Sequence, residues 1–84
     1  MRNFILFTKE KCDFCEEAVT KLKSLEHSYE EIRLNDHPKG LSMIKNLYGW
    51  ETVPIILEYI SEKKQTFVGG CTDLEEYLRE DKDD

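Results

Sequence analysis

The sequence contains no long apolar run. The stretch Phe4-Ile5-Leu6-Phe7 stops at Thr8-Lys9-Glu10-Lys11, which leaves it too short for a secretory core and far too short to cross a bilayer. The expectation is an intracellular, cytoplasmic chain with no membrane partner. Positive charge is also scarce: 12 Lys and Arg stand against 18 Asp and Glu, a formal net charge of -6. The electrostatic footprint of a nucleic-acid binder is therefore missing, and no nucleic-acid partner is expected. Cysteine is sparse too. Three cysteines without an export signal do not make a disulfide framework; in a reducing compartment they point to metal binding or redox chemistry. No repeat and no low-complexity segment interrupts the chain.

What is present fits one compact unit. A chain of 84 residues has room for a single domain, 1–84, that buries roughly 60% or a little more of its unfolded surface. Hydrophobic residues at 39% suit a globule, while 36% charge makes its surface strongly polar. The closing segment REDKDD is expected to fray from about residue 80 to 84 as an acidic, solubilising end.

Hydrophobic periodicity divides the chain into seven elements. Residues 3–7 read as a buried strand, with four bulky apolar side chains in a row. From 13 to about 25, apolar positions at Cys15, Ala18, Val19, Leu22 and Leu25 follow the spacing of one helical face, and Asp13 with Glu16 fits a capping box. Residues 28–34 form a second strand. A second helix follows, with Asp36 or His37 as cap, Pro38 in the first turn, a face of Leu41, Ile44, Leu47 and Tyr48, and Gly49 as terminator. Residues 52–60 give a third strand, the polar turn SEKK leads into a fourth at 65–69, and the short link makes these two antiparallel. After Gly69-Gly70 a last helix begins, with Thr72 and Glu75 as its capping box and Leu74, Tyr77 and Leu78 as its buried stripe. The predicted class is α/β, order βαβαββα: a four-stranded mixed sheet flanked by three helices.

The chemistry centres on Cys12 and Cys15, which straddle the start of the first helix. A thiolate, not a thiol, attacks a disulfide, and unpaired backbone N-H groups at a helix start favour that charge. Lys9 and Lys11 add positive charge, whereas Asp13 opposes it. Cys12 is thus the expected nucleophile. Cys15, a turn further in and more buried, is the expected resolving thiol. A zinc site would need two more soft ligands, and the chain offers only Cys71, His27 and His37 with no second paired motif. No metal is expected. A purely structural use as core filler fits Cys15 well and Cys12 poorly, since Cys12 falls in a charged loop.

The segments FTKEKCDFC, TVP and GGCTDL, in this order and at this spacing, resemble the glutaredoxins of the thioredoxin-like superfamily over nearly the whole chain. That resemblance implies a thioredoxin-like fold, a dithiol C-x-x-C site and a cis peptide at Val53-Pro54. It also implies a pocket for glutathione as co-substrate. The cysteinyl sulfur would meet Cys12, the cysteinyl backbone would pair with Val53, and the glycyl carboxylate would lie near Lys9. The glutamyl carboxylate would rest on the N-H groups of Thr72 and Asp73, with Gly70 allowing close approach. Phe14 fits the aromatic third position of the motif, Pro54 closes the Val53 turn, and Cys71 reads as a small packed residue beside them or else as a modifiable thiol. The chain departs from many dithiol members at Asp13, where they carry Pro, and at Glu51, where a basic residue is frequent.

The implied activity is glutathione-dependent thiol-disulfide oxidoreduction, acting on protein disulfides and protein-glutathione mixed disulfides, by a monomer. Two other uses of the fold stand beside it. One is a thioredoxin-like electron donor to an enzyme such as ribonucleotide reductase; the other is an iron-sulfur cluster shared between two protomers, more typical of relatives lacking the second cysteine.

Overall fold

The structure is a computed structural model that describes residues 2–81. Seven elements follow in the anticipated order: β1 (Asn3–Thr8), α1 (Asp13–Ser24), β2 (Ser28–Arg33), α2 (Pro38–Tyr48), β3 (Ile55–Ser61), β4 (Lys64–Gly69) and α3 (Cys71–Asp81). The strands form one sheet in the order β2-β1-β3-β4. β1 and β2 run parallel, joined by α1 as a crossover, while β3 is antiparallel to both β1 and β4. A hairpin link of two residues, Glu62 and Lys63, leaves no other choice for the last pair.

Alternation along β1 sorts its side chains between the two faces. Phe4 and Leu6 point into a core completed by Ala18 and Leu22 of α1, Ile56 of β3, and Leu74 and Leu78 of α3. Each large side chain removed from water there contributes on the order of 1.5–3 kcal/mol. The opposite face carries Ile5, Leu57 and Phe67, paired in register across three strands. α2 reaches it through Tyr48, which stacks on Phe67 with ring centroids 5.2 Å apart, and Trp50 just beyond the helix meets the same ring edge-on at 5.4 Å.

Several local expectations are corrected. The cap of α1 is Cys12, not Asp13, and its sulfur accepts the Cys15 N-H. The cap of α3 is not a Thr72–Glu75 box. Gly70 precedes the helix, its carbonyl accepts the Leu74 N-H, and its own N-H donates to Asp73 Oδ2 at 3.0 Å. β3 begins at Ile55, after the bend that holds Thr52 and Val53. Leu47, expected on the buried face of α2, is 70% exposed, beside Met43 at 71%, while Leu41, Ile44 and Tyr48 are half-buried. No residue of α2 is fully buried, because the helix leans on the sheet through a narrow aromatic contact. The frayed end anticipated from about 80 overlaps α3, whose backbone is helical to Asp81; residues 82–84 lie outside the described residues.

Candidate active site

β1 carries the chain from the core to the end of its strand, where Thr8 is fully buried. The loop then turns sharply, with Lys11 in the left-handed region at φ 54. That turn delivers Cys12 in extended conformation to the head of α1. Its Sγ accepts the Cys15 N-H at 3.3 Å, and its carbonyl accepts the Glu16 N-H at 3.1 Å. A charged sulfur at this point has a donor already aimed at it, at the positive end of the helix dipole. When protonated, the same thiol points at the Val53 carbonyl, 3.9 Å away. The Val53-Pro54 peptide is cis.

The two thiols differ in setting. Cys12 retains 9% of its surface and Cys15 only 2%. Burial is the main reason the Cys15 thiol is pushed up to about 12; its hydrogen bond and charge interaction with Cys12, and the Glu31 carboxylate, add to this, while the Lys9 backbone N-H opposes it. Cys15 is therefore a poor nucleophile in the reduced protein, and Cys12, buried as well, is the less enclosed of the two.

Beside Cys12 lies a shallow groove of about 180 Å³. Its walls are Phe14 from the first turn of α1, Thr52, Val53 and Pro54 from the bend before β3, and Gly70, Cys71 and Thr72 at the head of α3. Three segments far apart in sequence thus meet where the strands end. The groove's far wall is a helix start, whose first-turn N-H groups have no intrahelical acceptor. Phe14 is 61% exposed, an apolar surface at the groove mouth. Asp73 is turned toward Gly70, and a side chain on Gly69, whose φ is 121, would collide with Asp73 at 2.9 Å. Glycine at 69 is what lets the strand end and the helix cap approach so closely.

Of the residues predicted for the site, the groove gathers Phe14, Val53, Pro54, Gly70, Cys71 and Thr72, with Cys12 held beside it through Val53. Lys9 does not line the groove and is exposed. Asp73 contributes through the cap. Cys71 is buried, with its thiol 3.8 Å from Glu17 Oε2, and burial followed by the Glu17 and Glu75 charges pushes that thiol up. A larger hollow between α1 and α3, lined by Asp13, Glu16, Glu17 and Glu75 with Thr20, Lys21 and Ser24, is mainly acidic and contains no cysteine. Among the described residues no group of three or more His, Cys, Asp or Glu is placed to hold a metal ion. Sequence reasoning passed over Thr52, which could have been found, since it opens the TVP segment.

Comparison with known proteins now bears on this geometry. The family model described as Glutaredoxin matches residues 4–60. A wheat glutaredoxin structure aligns with a TM-score of 0.76 at 24% identity, covering 94% of this chain and 71% of the wheat chain. A buckwheat glutaredoxin-glutathione complex aligns with a TM-score of 0.76 at 23% identity, over 96% of this chain and 72% of the other. A dithiolic glutaredoxin from Trypanosoma brucei brucei aligns at 0.73 and 26% identity, over 96% and 81%. No curated protein matches the sequence.

Proposed function

We propose, from the premise that this chain belongs to the glutaredoxin family and has its thioredoxin-like fold, that it is a glutathione-dependent thiol-disulfide oxidoreductase. The observation that carries this reading is the setting of Cys12: a helix-capping sulfur, 3.3 Å from a backbone donor, beside a groove built from Val53, Pro54 and the head of α3. Family membership supports thiol-disulfide exchange. The glutathione complex of the buckwheat neighbour supports glutathione as the co-substrate.

In this reading the Cys12 thiolate attacks the glutathionyl sulfur of a protein-glutathione mixed disulfide. A Cys12–glutathione bond forms as the protein–sulfur bond breaks, and the released protein thiolate takes up a proton. A second glutathione thiolate then attacks the bound glutathione, returning Cys12 to the thiolate and leaving as glutathione disulfide. With a protein disulfide, Cys15 attacks the intermediate instead, and glutathione later reduces the Cys12–Cys15 bond. The ligand would pair its backbone with Val53 as an added strand, place one carboxylate on the first-turn N-H groups at Thr72 and Asp73, and find Lys9 near the other. The protein would work as a cytoplasmic monomer on glutathionylated or disulfide-containing proteins.

The test is turnover of a small glutathione mixed disulfide by wild type and two variants. Cys12→Ser is expected to abolish activity, and Cys15→Ser to keep most of it. Equal loss in both would reject the single-thiol route.

A further inference from the structure

Trp50 lies outside all the segments that carry the family resemblance and does not line the groove, yet it touches one wall of the groove from behind and leads the chain into another. Its backbone is fixed by the end of α2: Gly49 turns left-handed at φ 62, and the Trp50 N-H donates to the Lys45 carbonyl at 2.9 Å. Its ring is fixed by β4, edge-on to Phe67. The rest of the indole reaches the head of α3. A Cβ on Gly70 would meet Trp50 Cζ2 at 3.7 Å and Nε1 at 3.8 Å, with Asp73 Oδ2 at 3.6 Å. Thr52 and Val53, two and three residues further on, line the groove from one side, and Gly70 and Thr72 line it from the head of α3.

The indole N-H makes no bond that would stabilise the fold. Nε1 is buried and has no hydrogen-bond partner among the described residues, and an orphaned donor is a cost that a phenyl ring would not carry. An aromatic edge against Phe67 needs only that phenyl ring. What the indole adds is reach, from Phe67 across to Gly70.

We propose that Trp50 is a positioning residue for the groove: wedged between Phe67 and Gly70, it sets the distance between the bend at 52–54 and the head of α3, and with it the fit of a peptide-like thiol ligand lying between them. The proposal rests on the functional reading above, in which that ligand is glutathione. Cys12 is placed by the turn at Lys11 and the start of α1, so the wedge acts on binding and leaves the reacting sulfur alone. Loss of a contact that serves bound substrate and transition state alike raises KM and spares kcat.

The experiment uses the full-length protein with Trp50→Phe, which keeps a ring against Phe67 and loses the reach to Gly70. Three quantities are compared with wild type: KM and kcat for a small glutathione mixed disulfide, the urea midpoint, and hydrogen exchange at the Leu74 amide, whose bond to the Gly70 carbonyl forms the first turn of α3. KM is expected to rise roughly tenfold, short of the roughly hundredfold that a misplacement of about 1 Å can cost, with kcat within about twofold. Leu74 exchange is expected to quicken by roughly tenfold while the midpoint holds. An unchanged KM overturns the proposal, and so does unchanged Leu74 exchange. A fall in kcat or in the midpoint makes Trp50 a structural residue only, and overturns it too. If wild type turns over no glutathione mixed disulfide, the functional reading fails by itself, and Leu74 exchange then decides on Trp50.

Discussion

At the scale of single residues, the site works by making two cysteines three apart chemically unequal. Cys12 caps a helix and keeps 9% of its surface exposed, whereas Cys15 lies under the first turn with 2%. Burial raises the Cys15 thiol from the ordinary 9.0 to about 12, and burial also raises Cys71 and Tyr77. The consequence for stability has a definite sign. Cys15 holds its proton in the folded state at a pH where the unfolded chain has lost it, so its contribution is complete below the unfolded value and falls as pH climbs through the window from about 9 toward 12, and Cys71 and Tyr77 act with the same sign. Urea midpoints of the reduced protein should drop between pH 8 and pH 10, and Cys15→Ser should make that drop shallower. An identical slope in the variant would remove Cys15 from the account.

At the scale of elements, the three helices are held in different ways. α1 and α3 bury Ala18, Leu22, Leu74 and Leu78 against Phe4 and Leu6, whereas α2 is tied down mainly by Tyr48 on Phe67 and ends in Gly49 at φ 62. Truncation should report the difference. Leu22→Ala opens a cavity in a fully buried site and is expected to cost about 2–5 kcal/mol, while Leu47→Ala is expected to stay within about 0.5 kcal/mol. Chemical denaturation of both variants checks the pair; a comparable loss from Leu47 would mean that α2 is covered in solution. The amphipathic pattern of α2 was legible in Leu41, Ile44 and Tyr48, but it made the buried face too wide, because periodicity says which side faces the sheet and not how much sheet is there to cover it. Helix caps were misplaced for a similar reason. Cys12 and Asp13, or Gly70 and Thr72, differ by one or two positions in sequence, and the turn geometry at Lys11 and Gly69 decides between them.

At the scale of the whole molecule, one sheet connects the reactive end to an opposite end closed by a polar network. Glu58, nearly buried on β3, accepts from Arg2 at 2.6 Å and from the Tyr77 hydroxyl, while the Arg2 guanidinium lies 5.3 Å above the Tyr77 ring. That network ties the start of β1 to α3 through the middle of the sheet, which favours unfolding as a unit. Trp50 reports on it, since its indole Nε1 is buried and its ring meets Phe67 on the α2 side. Unfolding followed by Trp50 fluorescence and by far-ultraviolet circular dichroism should give coincident single transitions. Separated midpoints would mean that the α2 side melts apart from the core.

The sequence alone determined the order of elements, the helix start between Cys12 and Cys15, and the glutaredoxin pattern. The first two are local, depending on hydrophobic spacing and on residues within a turn of one another, and the third needs only three short segments in linear order. Only the tertiary structure decided that Lys9 stays off the groove that Phe14, Val53 and Thr72 line, that Asp73 turns back to cap Gly70, and that Glu31 pairs with the buried Thr8 across the β1–β2 register. Those facts depend on strand register and on where a connection re-enters the sheet, and register is set by the packing of the whole core against partners distant along the chain.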